Sequence, residues 1–281
     1  MKTLLIFISD IHLTNGNAED EGLVINSFLR DVARQLSEIP HDDAYALIGG
    51  DLVQAVDNSD SYNCFKTIII SKLVSLGISL SKVLCVPGNH DVQRGWINRH
   101  MTTYAPVVSK GFNEQKFNDL VDDEEQNDIL VDKFSHYTDF VKSNLDIPAY
   151  NPFGYCVEIG EDWSLYCLNS SLTSFGGVDS KDNPQLKDDK GNLNAYTRGL
   201  YDWTEHNQKK KILIMHHPFE FFTEDTATEL KKIVKTRIDL VLTGHTHDQD
   251  ILCNKKKDDS FIWCMAPQLC TKKGDRLGYS I

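Results

Sequence analysis

Leu4-Leu5-Ile6-Phe7-Ile8-Ser9-Asp10-Ile11-His12 decides how this chain is read. Leu4 to Ile8 are uninterrupted apolar residues, a buried strand by length and composition. Asp10 and His12 follow immediately. The same grammar recurs along the chain. Tyr45-Ala46-Leu47-Ile48 runs into Gly49-Gly50-Asp51, and Val83-Leu84-Cys85-Val86 into Pro87-Gly88-Asn89-His90-Asp91. Ile212–Met215 runs into His216-His217-Pro218, and Leu240–Leu242 into Thr243-Gly244-His245-Thr246-His247. In open α/β sheets, ligands sit beyond the carboxyl ends of the strands. Loops leaving one edge in this way can converge on one place.

The intervening segments support an α/β architecture. Val24, Phe28, Val32 and Leu36, with Leu29 beside them, mark one face of a helix. Phe65, Ile68, Ile69, Leu73 and Leu76 do the same until Gly77. Leu230, Ile233 and Val234 mark a third helix, and Trp163–Leu168 and Phe261–Met265 read as further strands. Alternation of strands and helices is the signature of the class. Residues 92–150 are acidic and aromatic, with a helix expected around Phe134, Tyr137, Val141 and Leu145. We read this stretch as a cap or insertion in a single domain spanning 1–281. Residues 175–198 are polar and turn-rich and are expected to form a long loop. The terminal Leu277-Gly278-Tyr279-Ser280-Ile281 reads as the start of a strand: either the protein stops in a terminal strand or, the reading slightly favoured, this is the front part of a longer protein, with room for an additional domain or protein partner.

Composition narrows the function classes. The 281 residues are 41% hydrophobic and 25% charged, an ordinary globular mix. With 29 basic and 41 acidic side chains, the formal charge is -12. Nucleic-acid binding by surface charge is disfavoured, because that mode needs a basic face. No apolar run approaches the roughly 20 residues that span a bilayer, and no signal peptide is recognisable, so a cytoplasmic protein is expected. The seven cysteines include no C-x-x-C pair and are expected to be reduced core thiols.

The candidate site residues share one chemistry. Asp10, His12, Asp51, Asn89, His216, His245 and His247 are oxygen or nitrogen donors with no thiolate among them, which excludes a Cys-rich structural zinc. They are too many for one tetrahedral ion and suit two divalent cations that share a carboxylate. The D-x-H and H-x-H spacings are expected to be extended, so that residues i and i+2 point the same way. Gly49, Gly50, Gly88 and Gly244 allow tight turns and close approach.

In order, D-x-H, G-G-D, G-N-H-D, H-H-P and G-H-T-H resemble the calcineurin-like metallophosphoesterase superfamily, and the motifs span residues 10 to 247. The resemblance implies a four-layer αββα sandwich with a dinuclear centre at the carboxyl edge of the strands. It implies that Asp10, His12, Asp51 and His247 hold one metal. Asp51, Asn89, His216 and His245 hold the other, with Asp51 bridging and His216 preferred over His217. The metals implied are manganese, iron, zinc or nickel, which these donors do not discriminate. The substrate implied is a phosphate ester, attacked by a metal-bridged hydroxide while His90 assists the leaving oxygen. Arg94 is a candidate for substrate binding. The protein-phosphatase branch carries G-D-x-V-D-R-G and G-N-H-E; here G-D-L-V-Q-A-V lacks that arginine and aspartate, and G-N-H-D replaces G-N-H-E. A phosphodiesterase is therefore favoured. The alternatives are a nuclease module of a larger assembly, or a metal-bound protein-binding scaffold without turnover.

Overall fold

Every apolar run named above becomes a strand. The computed structural model describes residues 2–14, 18–107, 112–176, 189–247, 249–255 and 260–269. Its strands are β1 (Thr3–Ile8), β2 (Asp43–Ile48), β3 (Val83–Cys85), β4 (Gly154–Ile159), β5 (Trp163–Leu168), β6 (Lys210–Ile214), β7 (Leu240–Thr243), β8 (Asp250–Lys255) and β9 (Ser260–Met265). One sheet has the order β1-β2-β3 and is parallel throughout. The other has the order β4-β5-β6-β7-β9-β8, with β5, β6, β7 and β9 parallel and β4 and β8 antiparallel at its edges.

Period-two burial builds the layers. Phe7, Leu47, Leu84 and Val86 from the first sheet meet Leu165, Cys167, Ile212, Ile214 and Leu242 from the second in one core between the sheets. The alternate residues Ile6, Ile8, Ala46, Ile48 and Cys85 face a helical layer that includes Phe28 and Val32 of the helix Ala18–Glu38. On the far side, Leu213 and Met215 pack with Leu200 of the helix Thr197–His206 and Leu230 and Val234 of the helix Glu224–Arg237. The layer order is helix, sheet, sheet, helix: the αββα sandwich.

The stretch from 92 to 150 packs against this frame directly. Its helices Arg94–Arg99, Glu114–Asp122 and Ser135–Asn144 place Ile97, Phe117, Tyr137, Phe140 and Val141 in the core of the first helical layer. Lys133 is fully buried there, and its ammonium donates to the carbonyls of Leu172 (2.8 Å) and Ser174 (2.7 Å) and to the Tyr104 hydroxyl. The turn after β5 is thereby tied to the helices. Residues 177–188 of the expected loop lie outside the described residues.

Two expectations differ. β4 and β8 were not legible as strands; Cys156 and Glu158 of β4 and Ile251 and Leu252 of β8 are exposed, so no unbroken apolar run marks either. The cysteines are not uniformly core thiols. Cys85 and Cys167 are buried, but Cys156 and Cys253 are exposed because they lie on those same edge strands. No disulfide occurs among the described residues, and Cys270 lies outside them. No helix among them is long and apolar enough to cross a membrane.

Candidate metal centre

Register delivers the motif loops to one level. Ile8 pairs with Ile48 and Ile48 with Cys85, so the segments carrying Asp10, Asp51 and Asn89 leave the first sheet side by side. Cys167 pairs with Ile214 and Ile214 with Leu242, which brings Ser170, His216 and His245 out of the second sheet together. The sheets are sewn at this edge. His245 N–H donates to Asp10 Oδ2 (2.9 Å) and His216 Nδ1–H to the Gly49 carbonyl (2.8 Å), each bond joining a loop of the second sheet to a loop of the first.

The motif loops are not extended. Asp10, His12, Asp51, His245 and His247 have φ of 54°, 50°, 53°, 72° and 61°. Among the described residues only one other non-glycine residue, Ala149, has positive φ. Left-handed backbone costs about 1–3 kcal/mol per non-glycine residue and persists where the surroundings impose it. The i and i+2 side chains of D-x-H and H-x-H therefore meet through a left-handed turn, which Asp and His tolerate better than most residues.

All seven predicted ligands come together. Asp51 sits in the middle: its Oδ2 lies 3.6 Å from His12 Nε2 and 3.4 Å from His216 Nε2, while Oδ1 accepts from His90 N–H at 2.8 Å. On one side, Asp10 Oδ1 is 3.3 Å from His247 Nε2 and 3.9 Å from His12 Nε2. On the other, Asn89 Oδ1 is 3.2 Å from His216 Nε2 and 3.0 Å from His245 Nδ1. His216 donates Nδ1–H to the Gly49 carbonyl (2.8 Å), which turns Nε2 toward Asp51 and Asn89. Several triads here have ligand atoms within 4.8 Å of one another, and Asp10 and Asp51 each belong to two of them.

The donor set fits divalent cations. Both ring nitrogens of His12 are buried with no hydrogen-bond partner, and Asp10 Oδ1 has only the His247 imidazole at 3.3 Å. Buried polar atoms are almost always satisfied, so orphans clustered around two buried carboxylates call for a cation. Histidines are the only basic residues in ion pairs with Asp10 and Asp51 among the described residues. Burial alone raises the Asp51 carboxyl, yet His216 and His12 outweigh it and hold that carboxyl well below its usual range. Burial pulls His216 down, but Asp51 and Asp10 push it up to about 9. Burial and then His216 take His245 down to about 4.

A pH dependence follows. A cation must displace the proton held by His216, whose metal-free value of about 9 lies above neutrality. Affinity for manganese is therefore expected to rise about tenfold per pH unit between 6 and 8 and to level off above about 9. Calorimetric titration at several pH values checks this; an affinity that is flat or falls with pH contradicts it.

His90 lies at the rim, half-buried, with its ring 4.5 Å from that of His12. Its Nδ1–H donates to the Gln54 carbonyl (2.7 Å), which leaves Nε2 for proton exchange. Arg94 is half-buried and donates Nε–H to the Gly176 carbonyl (2.5 Å). Asp91 accepts from Gly88 N–H (2.9 Å), Leu52 N–H (3.4 Å) and the Tyr62 hydroxyl (3.2 Å), because the turn at Gly88 aims its carboxylate into the protein. Burial and then Asp51 raise that carboxyl to about 7.

Two neighbours of the site escaped the sequence reading. Ser170, in the turn after β5, accepts from the backbone N–H of both His216 and His217 at 3.1 Å. Phe221, partly buried against the core that holds Phe219 and Phe222, sets its ring against His245 at 4.3 Å, edge to face. The run Trp163–Leu168 followed by Asn169-Ser170-Ser171 has the same grammar as the five motif loops and could have revealed the serine.

The chain is 25% identical over 257 residues to an uncharacterized metallophosphoesterase-like protein, YydB, from Bacillus subtilis (strain 168), covering 88% of this chain and 49% of that one. Among solved structures, the sulfate thiohydrolase SoxB from Thermus thermophilus, in complex with glycerol, aligns at 10% identity with a TM-score of 0.41, over 95% of this chain and 51% of that one. The chain thus spans about half the length of each. The family model of the calcineurin-like phosphoesterases matches residues 3–249, a span containing all the motif loops, and the chain belongs to that family.

Proposed function

We propose that this chain hydrolyses phosphate esters, phosphodiesters in preference, using two divalent ions. The observation that carries the reading is the position of Asp51, whose Oδ2 lies between His12 and His216 at 3.6 and 3.4 Å. One carboxylate oxygen faces donors on both sides, as a bridging ligand must. Asp10, His12, Asp51 and His247 would hold one ion, and Asp51, Asn89, His216 and His245 the other. Ions so held supply a hydroxide nucleophile at neutral pH and stabilise charge on the phosphoryl oxygens. The oxygen and imidazole donors accept manganese, iron, zinc or nickel, and manganese is the first to test.

The chain's own groups do the rest. His90, fixed through Nδ1–H on Gln54, delivers a proton from Nε2 to the departing alkoxide. Arg94 keeps N–H groups beyond the one on Gly176 for the substrate. The overall charge of -12 argues against a long polyanionic substrate, so a small diester is preferred to nucleic acid. We place the reaction in the cytoplasm, consistent with no disulfide among the described cysteines.

The test is a panel with manganese: bis-p-nitrophenyl phosphate, p-nitrophenyl phosphate, cyclic nucleotides and single-stranded DNA. Turnover of the small diester above the monoester is expected. Cleavage of DNA at physiological salt would favour the nuclease module, and metal uptake without any turnover would favour the scaffold.

A further inference from the structure

His217 is the titratable group of this site that the proposed reaction does not use. It is fully buried, and its ring centroid lies 4.8 Å from that of His216 and 4.5 Å from that of His245. One nitrogen on each of these three rings falls within 4.8 Å of the others, so proximity alone admits His217 as a further ligand. Hydrogen-bond accounting excludes it. Ser170 Oγ accepts from His216 N–H and His217 N–H at 3.1 Å each, which occupies both hydroxyl lone pairs. The third contact of that oxygen, 3.0 Å to His217 Nδ1, must use its only hydrogen. Ser170 therefore donates, and Nδ1 accepts. A neutral imidazole that accepts at Nδ1 carries its proton at Nε2. That Nε2–H is buried and has no hydrogen-bond partner.

We infer that Ser170 locks His217 as the Nε2–H tautomer, and that His217 is a hydrogen-bond donor to a phosphoryl oxygen of the substrate rather than a metal ligand. The inference rests on the phosphoesterase reading for its acceptor but not for its tautomer. An unsatisfied donor beside the Asn89, His216 and His245 ligand set is suited to an anionic oxygen, where charge roughly doubles the strength of a hydrogen bond.

Two measurements test it. Long-range proton–nitrogen correlation spectra of the metal-free protein read the tautomer directly. Protonated Nε2 with bare Nδ1 is expected, and protonated Nδ1 overturns the inference whatever the enzyme does. Calorimetry with inorganic phosphate on the manganese-loaded chain reads the donor. His217→Asn keeps an oxygen for Ser170 and removes the group at Nε2; it is expected to weaken phosphate binding about 10- to 100-fold and leave manganese affinity within about twofold. His217→Gln puts an amide N–H where Nε2 stood and is expected to recover most of the loss. Unchanged phosphate affinity in His217→Asn, or loss of manganese from it, overturns the donor role. Wild-type protein that loads manganese but binds no phosphate also overturns it, and takes the phosphoesterase reading with it.

Discussion

Asp51→Asn is expected to yield a folded protein that has lost one of the two proposed ions and at least about 1,000-fold of its hydrolytic rate, on the order of 4 kcal/mol of transition-state stabilisation. Asparagine has nearly the volume of aspartate and tolerates the φ of 53° at this position. The substitution therefore removes charge while sparing the turn. An amide oxygen cannot bridge two cations as a carboxylate does, so manganese stoichiometry should fall from two per chain to one or none. The imidazoles report the same change in the metal-free protein. Asp51 is the strongest influence raising His216, while burial opposes it. Without that carboxylate, His216 should titrate far below about 9, and the pH dependence of any residual manganese affinity should weaken, with His247, raised by Asp10, still contributing. Elemental analysis, nuclear magnetic resonance titration and assay on bis-p-nitrophenyl phosphate measure the three effects. A variant that keeps two ions and more than a tenth of wild-type activity would remove Asp51 from the centre of the site.

Legibility from sequence followed burial. β1, β2, β5, β6 and β7 are covered on both faces, so they appear as unbroken apolar runs, and their carboxyl ends could be located within a residue or two. Those ends are also where donor residues cluster, so the site was as legible as the strands. What hid was of two kinds. Strands with a solvent-exposed face carry little apolar signal, and β4 and β8 passed unseen, together with the exposure of Cys156 and Cys253. Backbone handedness hid as well. Asp10 and His12 meet whether the segment is extended or left-handed, and residue identity does not separate the two; the register of β1 with β2 and the hydrogen bonds of residues 10–12 to Gly50 and Asp51 impose the turn. Ser170 and Phe221 lie outside the five motifs, and their roles depend on contacts between loops that leave neighbouring strands of the second sheet.

Gly88→Ala is the second large effect, and its physics is steric. A methyl group at Gly88 would lie 2.5 Å from the backbone nitrogen of Asp51 and 2.7 Å from its Cγ, and would collide with Oδ1. No rotation of the Asp51 side chain relieves a clash with its backbone, so one of the two loops must move. Gly88 N–H also holds Asp91 at 2.9 Å, and Asn89 follows it with a ligand oxygen, so a shift at 88 drags both. Overpacking of this kind typically costs about 1–3 kcal/mol, and obstruction by backbone puts it at or above the upper end. At about 3 kcal/mol the thermal midpoint should fall by roughly 5–10 °C. Uptake of the ion between Asn89, His216 and His245 should weaken more than that of the ion near His247, because Asn89 is the ligand displaced. Gly95→Ala is the matched control. It sits in the helix Arg94–Arg99, where the nearest atom to an added methyl is an Arg99 guanidinium nitrogen at 3.4 Å. Alanine there should be neutral or add up to about 1 kcal/mol. If Gly88→Ala melts at the wild-type temperature and still loads two ions, the loops after β2 and β3 are not in the close contact on which the bridging position of Asp51 depends.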